Sequence, residues 1–151
     1  RILDNVARYN STAQIDGVLV AEMVGRGREM ILGMSQDPTF GPAVAVGLGG
    51  VFVETLKDIA LGVPPLAVRD ARGMIESLRG YAVLEGSGAR GAGPADVPAL
   101  IDTLVRFSAL CYDLAGDVAE IDINPLVVFD AGQGVKVVDC LIVPAPAPAE
   151  A

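Results

Sequence analysis

Histidine is absent from all 151 residues. That absence removes the commonest general base, the commonest side-chain metal ligand and any phosphohistidine formed on the chain itself. Histidine chemistry, if the protein takes part in any, has to arrive on another domain. Cysteine is nearly as scarce: Cys111 and Cys140 stand in apolar surroundings without CxxC spacing. This argues against a disulfide framework and suits two buried thiols in a reducing compartment, hence the cytoplasm. No run approaches the roughly 20 apolar residues of a membrane span, and the N-terminus lacks the charged-then-apolar layout of a signal peptide, so a soluble protein is expected. Positive charge is also short. Eleven Lys and Arg against 19 Asp and Glu leave a formal net charge of -8. Bare polyanions are repelled unless basic side chains gather in one patch or a divalent cation mediates, which argues against nucleic acid and anionic membrane as partners.

What is present is apolar content, 52% of the residues, enough for one sizeable core in one domain. The chain opens on Arg1 and on a segment that reads as the tail of a helix, so it is treated as one lobe of something longer. Ile2, Leu3 and Val6 give Ile2 to Tyr9 helical spacing, and Asn10-Ser11 marks a turn. The period then changes. Val18 to Val24 and Glu29 to Met34 read as strands of a hairpin around Gly25-Arg26-Gly27. Ala43 to Leu48 and Val51 to Leu61 read as two more extended runs, the second stopped by Pro64-Pro65. Helices are predicted over Val68 to Leu78 and Val97 to Leu114, the second with Asp96 as N-cap. Glu85 to Pro94 reads as a mobile surface loop. Ala119 to Val128 and Val135 to Val143 flank the turn composition Asp130-Ala131-Gly132-Gln133-Gly134, a second hairpin. The alternating Pro and Ala of 144–151 make an extended, disordered tail or linker. Hairpins with helices grouped between them predict an α+β fold, a mainly antiparallel sheet with helices packed on it.

The last hairpin carries the sharpest chemistry. Antiparallel pairing about a turn centred between Ala131 and Gly132 places Asn124 opposite Asp139, and strand alternation puts Asp122 on the face of Asn124. Three oxygen-bearing side chains converging between apolar strands suit magnesium, which needs only one or two protein oxygens beside water and substrate phosphates. The competing reading is a polar hairpin end that simply faces solvent. In the first hairpin Arg26, Arg28 and Glu29 suit phosphate and ribose contacts, or else a charged tip that confers solubility. Gly47-Leu48-Gly49-Gly50 lets backbone amides approach a phosphate, yet no Gly-Lys-Ser/Thr follows and it is not a P-loop. Lys57 and Asp58 are either site residues or an exposed pair on a strand.

Taken in order, Gly17 to Val24, Gly27 to Gly33, Asp37 to Pro42 with Gly47 to Glu54, and Glu120-Ile-Asp-Ile-Asn-Pro-Leu126 with Val138-Asp139 resemble the ATP-grasp region of ADP-forming acetyl-CoA and acyl-CoA synthetases. Succinyl-CoA synthetase β subunits are more distant relatives. The resemblance implies an ATP-grasp C-terminal lobe over 1–143. It implies Asn124 and Asp139 as ligands of Mg2+, and Asp122 as the acid that assists phosphoryl transfer between nucleotide and a phosphohistidine. Glu29 and Arg28 are implied at the nucleotide (ATP or ADP), Val20, Ala21, Glu22 and Met23 as the hinge strand against adenine, and Gly49, Gly50 and Glu54 as a further nucleotide motif. Implied partners are CoA-binding and phosphohistidine domains on the same chain or a second subunit, in a homo- or hetero-oligomer. Gly62 departs from the family's frequent arginine and Ala21 from its frequent glutamine. The competing readings are a synthetase-like regulatory module of a protein lysine acetyltransferase and a non-catalytic scaffold.

Overall fold

The alternation of Met30, Leu32 and Met34 with that of Val44, Val46 and Leu48 builds the centre of the sheet, because every second side chain of a strand points to the same face. The structure is a computed structural model that describes residues 1–50, 58–86 and 93–146. Strand β1 (Arg28–Asp37) is paired antiparallel with β2 (Gly41–Leu48) on one side and with β4 (Val118–Val128) on the other. Strand β3 (Ile59–Gly62) extends the sheet beyond β2, while β5 (Val135–Val137) and β6 (Cys140–Pro144) both pair with β4. The order is β3-β2-β1-β4-β5, with β6 further along the edge of β4. The β1–β2 turn closes on Asp37, whose Oδ1 accepts the N–H groups of Thr39 at 2.8 Å and Phe40 at 2.9 Å. Gly41 supplies the left-handed φ of 76° that completes it.

Helix α1 (Ile2–Tyr9) buries none of its residues. Helices α2 (Val68–Glu76) and α3 (Val97–Asp113) cover one face of the sheet, where Ala71, Met74 and Ile75 meet Leu100, Leu104 and Cys111 over the even-numbered side chains of β1 and β2. Each fully buried aliphatic side chain in this layer contributes about 1.5–3 kcal/mol. Ser108, the polar member of the helical face, is satisfied: it accepts from Leu66 N–H and donates to the Val105 carbonyl. Met74 Sδ lies 2.7 Å from where a Cβ on Gly62 would stand, so the thioether occupies the space a side chain at this position would claim.

The predicted α+β class, both long helices and the antiparallel sheet are present. The pairing proposed for the last hairpin also holds, with Leu126 opposite Val137, Val128 opposite Val135 and Asp122 opposite Leu141. Four expectations are corrected. Val18 to Val24 is not a strand, because β1 already has a neighbour on each edge and offers no row of donors and acceptors to pair with. Of the run Val51 to Leu61, Ile59 onward is strand and Asp58 is not, while residues 51–57 lie outside the described residues. The expected strand Val135 to Val143 is two strands, interrupted at Val138-Asp139 opposite Asn124-Pro125. Finally, Cys140 is exposed on β6 and only Cys111 is buried, where desolvation raises its thiol pKa to about 11. The expected loop Glu85 to Pro94 falls partly, and the tail mostly, outside the described residues; Ala145 N–H still bonds the Asp117 carbonyl at 2.8 Å.

Asp96 is the N-cap of α3, as expected, and also joins the helix to the last hairpin. Its Oδ1 accepts Ala99 N–H at 3.2 Å and its Oδ2 accepts Gly134 N–H at 2.8 Å. The bonds from Gly134 and then Ala99 hold the carboxyl below its ordinary value of 3.8. A carboxylate with a depressed folded pKa stabilises fully above its unfolded value of about 3.9 and loses that contribution as the pH falls through the folded pKa. Asp96→Ala is therefore expected to cost about 1–2 kcal/mol at neutral pH, and the deficit to shrink below about pH 4, in urea unfolding run across that range.

Candidate functional site

Glu29 sits near the start of β1 opposite Val127, and Gly49 follows the end of β2. The Gly49 N–H donates to the Glu29 carbonyl at 2.7 Å, so the glycine turn lies directly on Glu29. Glycine is required twice here. A Cβ on Gly49 would stand 2.9 Å from the Glu29 carbonyl carbon and oxygen, and Gly50 has a φ of +62° with Glu29 Oε2 3.3 Å from its Cβ position. The result is a pocket of about 390 Å³ between Gly27–Glu29, Leu48–Gly50 and Val83. Arg28, Glu29, Gly49 and Gly50, far apart in sequence, are thus brought together. The Arg28 guanidinium is anchored, donating to the Asp130 carboxylate and the Gly93 carbonyl, and its side chain is only 11% exposed. Pairing and hydrogen bonding offset the cost of burying that charge.

The second group lies on β4 and the β5–β6 junction. A bulge between Met30 and Leu32 shifts the β1–β4 register, so β4 changes parity: Ile121 and Ile123 face the helices before it, Leu126 and Val128 after it. Asp122 and Asn124 consequently lie on the face away from the helices, Asp122 half-buried and Asn124 exposed. Asn124 N–H donates to the Asp139 carbonyl at 3.2 Å, which establishes the direct opposition of these residues. Asp139 is exposed, and its Oδ1 accepts Cys140 N–H at 2.9 Å. Asp122 pairs across β1 with Gly33, and a second, shallower hollow of about 210 Å³ lies over Gly33, Ala45, Glu120 and Asp122. Among the described residues no three His, Cys, Asp or Glu side chains form a metal cluster. The donor set is a carboxamide and a carboxylate on two residues joined by a backbone hydrogen bond. Hard oxygens of this kind fit magnesium when phosphate and water complete its shell.

Val20, Ala21, Glu22 and Met23 form an exposed segment without regular secondary structure that does not line the pocket. It is tied down at Glu22, whose carboxylate lies 2.6 Å from Lys136 Nζ on β5. Gly27 ends this segment wedged against the sheet, its Cβ position 2.5 Å from Val127 Cγ1 and 2.7 Å from the Val128 carbonyl oxygen. Glu54 lies outside the described residues. Sequence reasoning missed Leu48 and Val83 as pocket walls, since both carry the apolar signature of core, and missed the Asp130 and Gly93 partners of Arg28. Only the charge pattern of Asp130 within a turn hinted at the latter.

Residues 1–143 match the ATP-grasp domain family. The chain is 44% identical over 142 residues to the acetate–CoA ligase (ADP-forming) II subunit beta of Pyrococcus furiosus, a match covering 94% of this chain and 59% of that protein. Among solved structures it is similar, with a TM-score of 0.81 and 40% identity over 95% of this chain and 62% of the other, to the dinucleotide-forming acetyl-coenzyme A synthetase 1 of Candidatus Korarchaeum cryptofilum in complex with coenzyme A, acetyl-coenzyme A and a phosphorylated phosphohistidine segment. A further structure of that synthetase, with coenzyme A and Mg-AMPPCP and the phosphohistidine segment pointing towards the nucleotide binding site, matches with a TM-score of 0.72 and 39% identity over 81% of this chain and 55% of that one. The chain spans about three fifths of the length of these proteins.

The glycine contacts define a direct test. Gly49→Ala, with backbone atoms 2.9 Å from the new Cβ, is expected to lose about 1–3 kcal/mol. Gly33→Ala, whose nearest neighbour is 3.8 Å away, is expected to stay within about 0.5 kcal/mol of the parent in the same urea titration.

Proposed function

The chain belongs to the ATP-grasp domain family, and from that premise we propose that it is the magnesium-nucleotide lobe of an ADP-forming acyl-CoA synthetase, which converts acyl-CoA, ADP and phosphate to the free acid, CoA and ATP. The observation that carries this reading is the meeting of Arg28, Glu29, Gly49 and Gly50 around one pocket, together with Asn124 and Asp139 opposite each other on the sheet. The glycine turn allows close backbone approach to phosphate groups, and the Glu29 carboxylate offers an acceptor for a ribose hydroxyl. Arg28, fixed by Asp130 and Gly93, would form a rigid part of the pocket wall. Val20 to Met23 would meet adenine as the hinge segment, with Glu54 as a further nucleotide contact. The 1–143 stretch is the partial ATP-grasp unit, and 144–151 a tail or linker.

Asn124 and Asp139 would hold magnesium through a carboxamide oxygen and a carboxylate oxygen. When bound, the ion supplies charge neutralisation at the phosphates during transfer. Asp122 lies on the same face, where its negative charge favours the cationic form of an approaching imidazole and orients it. That imidazole belongs to another domain or subunit, because this chain contains no histidine. The acyl phosphate would form and be consumed in the domain that binds coenzyme A, with the phosphoryl group carried on histidine to ADP. A cytoplasmic setting fits the two free thiols.

Calorimetry with magnesium-ADP on the full-length protein tests the assignment. Asn124→Ala with Asp139→Ala is expected to abolish the magnesium-dependent part of binding while the far-ultraviolet spectrum and melting temperature stay close to the parent's, as both side chains are exposed. Equal binding by parent and double variant would instead support a scaffold or sensor role.

A further inference from the structure

Asp58 plays no part in the site described above, yet it is a carboxylate only 6% exposed in a layer of apolar side chains. Its burial is made possible by two backbone donors. Oδ1 accepts Arg79 N–H at 2.9 Å and Oδ2 accepts Gly80 N–H at 2.8 Å, both across more than 20 residues of sequence. Gly80 is gripped from three sides. Besides the bond from its N–H to Asp58, its carbonyl accepts Val83 N–H at 2.9 Å. A Cβ built on it would stand 2.1 Å from Leu48 Cδ1, so Leu48 rests on bare backbone. The main chain of Asp58 is seated just as closely on the glycine run: a Cβ on Gly47 would lie 2.8 Å from the Asp58 carbonyl oxygen. One residue therefore presses its backbone on Gly47 and, through Gly80, seats Leu48 and Val83, which are two of the walls of the pocket.

We propose that Asp58 is a positioning residue for the nucleotide: it fixes the Arg79-Gly80 turn against Leu48 and thereby sets the separation between the Gly49-Gly50 turn and the Val83 wall. The proposal rests on the nucleotide reading of that pocket. A carboxylate is needed because both oxygens must accept; in Asp58→Asn one of them becomes an amide donor facing a backbone N–H. Gly80→Ala disturbs the same seat while leaving both carboxylate oxygens in place: its Cβ would displace Leu48, 2.1 Å away, and only reach van der Waals contact with Asp58 Oδ2 at 3.4 Å.

The experiment compares the full-length parent with Asp58→Asn, Gly80→Ala, Glu29→Gln and, as a destabilised control on α3 that does not line the pocket, Phe107→Leu. Magnesium-ADP affinity is measured by calorimetry, and amide hydrogen exchange is followed in peptides spanning Leu48 to Gly50 and Val83. Asp58→Asn and Gly80→Ala are expected to raise Kd about tenfold, the size of one lost charged hydrogen bond, with faster exchange in both peptides. Phe107→Leu should lower the melting temperature while leaving Kd within about twofold. Unchanged affinity in Asp58→Asn while Glu29→Gln weakens binding would overturn the positioning role, as would an equal loss in Phe107→Leu. Unchanged affinity in all the variants would show that nucleotide binds elsewhere, overturning the reading of the pocket and the role of Asp58 with it.

Discussion

Pairing of β1 with β4 is the contact on which the rest of this structure hangs, because it joins the N-terminal hairpin to the C-terminal one and does so out of strict register. A regular ladder would keep one parity of β4 in the core along its whole length. The bulge beside Ile31 changes that parity, so Ile121 and Ile123 at one end, and Leu126 and Val128 at the other, all reach the helices. The same displacement leaves Asp122, Asn124 and Val127 on the opposite face. Core packing and the placement of the polar strip are thus two consequences of one irregularity.

Around that junction, charged groups are used to hold backbone, and in one case a second charged side chain as well. Arg28 ties the start of β1 to Asp130 and Gly93, Asp96 ties α3 to the β4–β5 turn at Gly134, and Asp58 ties the end of α2 to the β2–β3 layer. Each anchors a turn that carries few apolar side chains and so has little hydrophobic burial of its own to fix it. Exposed pairs such as Arg106 with Asp102 are in a different position, since solvent screening leaves such pairs little net effect. The loop and turn geometry around the pocket consequently depends on a handful of buried or half-buried polar contacts, whereas the sheet beneath depends on aliphatic packing.

The two faces of the sheet divide the work. On the helix side Met30, Leu32, Val44 and Val46 are fully buried, and among the described residues no buried side-chain polar atom lacks a partner; Ser108 and Asp58 have theirs. On the other side the middle of the sheet carries small or polar residues, Gly33, Ser35, Ala43 and Ala45 beside Asp122 and Glu120, with Leu61 at the edge strand. Small side chains leave carboxylates accessible above the strand plane, which is the condition for an oxygen-lined surface to receive phosphate and metal. The ATP-grasp relationship accords with a sheet that is covered on one face and open on the other.

Much of this was legible in the order of residues. Period-2 alternation revealed β1, β2 and β4, helical spacing revealed α2 and α3, and the turn composition around Gly132 was enough to align Asn124 with Asp139, because all of these are local patterns and a hairpin register follows from its turn. Local pattern could not say that Val18 to Val24 lacks a strand to pair with, since strand propensity describes a segment while pairing depends on which sheet edges remain vacant. Nor could it show that Cys140 faces outward, or that Asp58 is buried beneath Gly80. The sequence by itself determined the class of fold, the helices and the composition of the oxygen-bearing strip. Only the tertiary structure decided which distant residues share a pocket and which charges anchor backbone, because those outcomes depend on chain crossings tens of residues apart, where contact is set by packing and not by spacing along the chain.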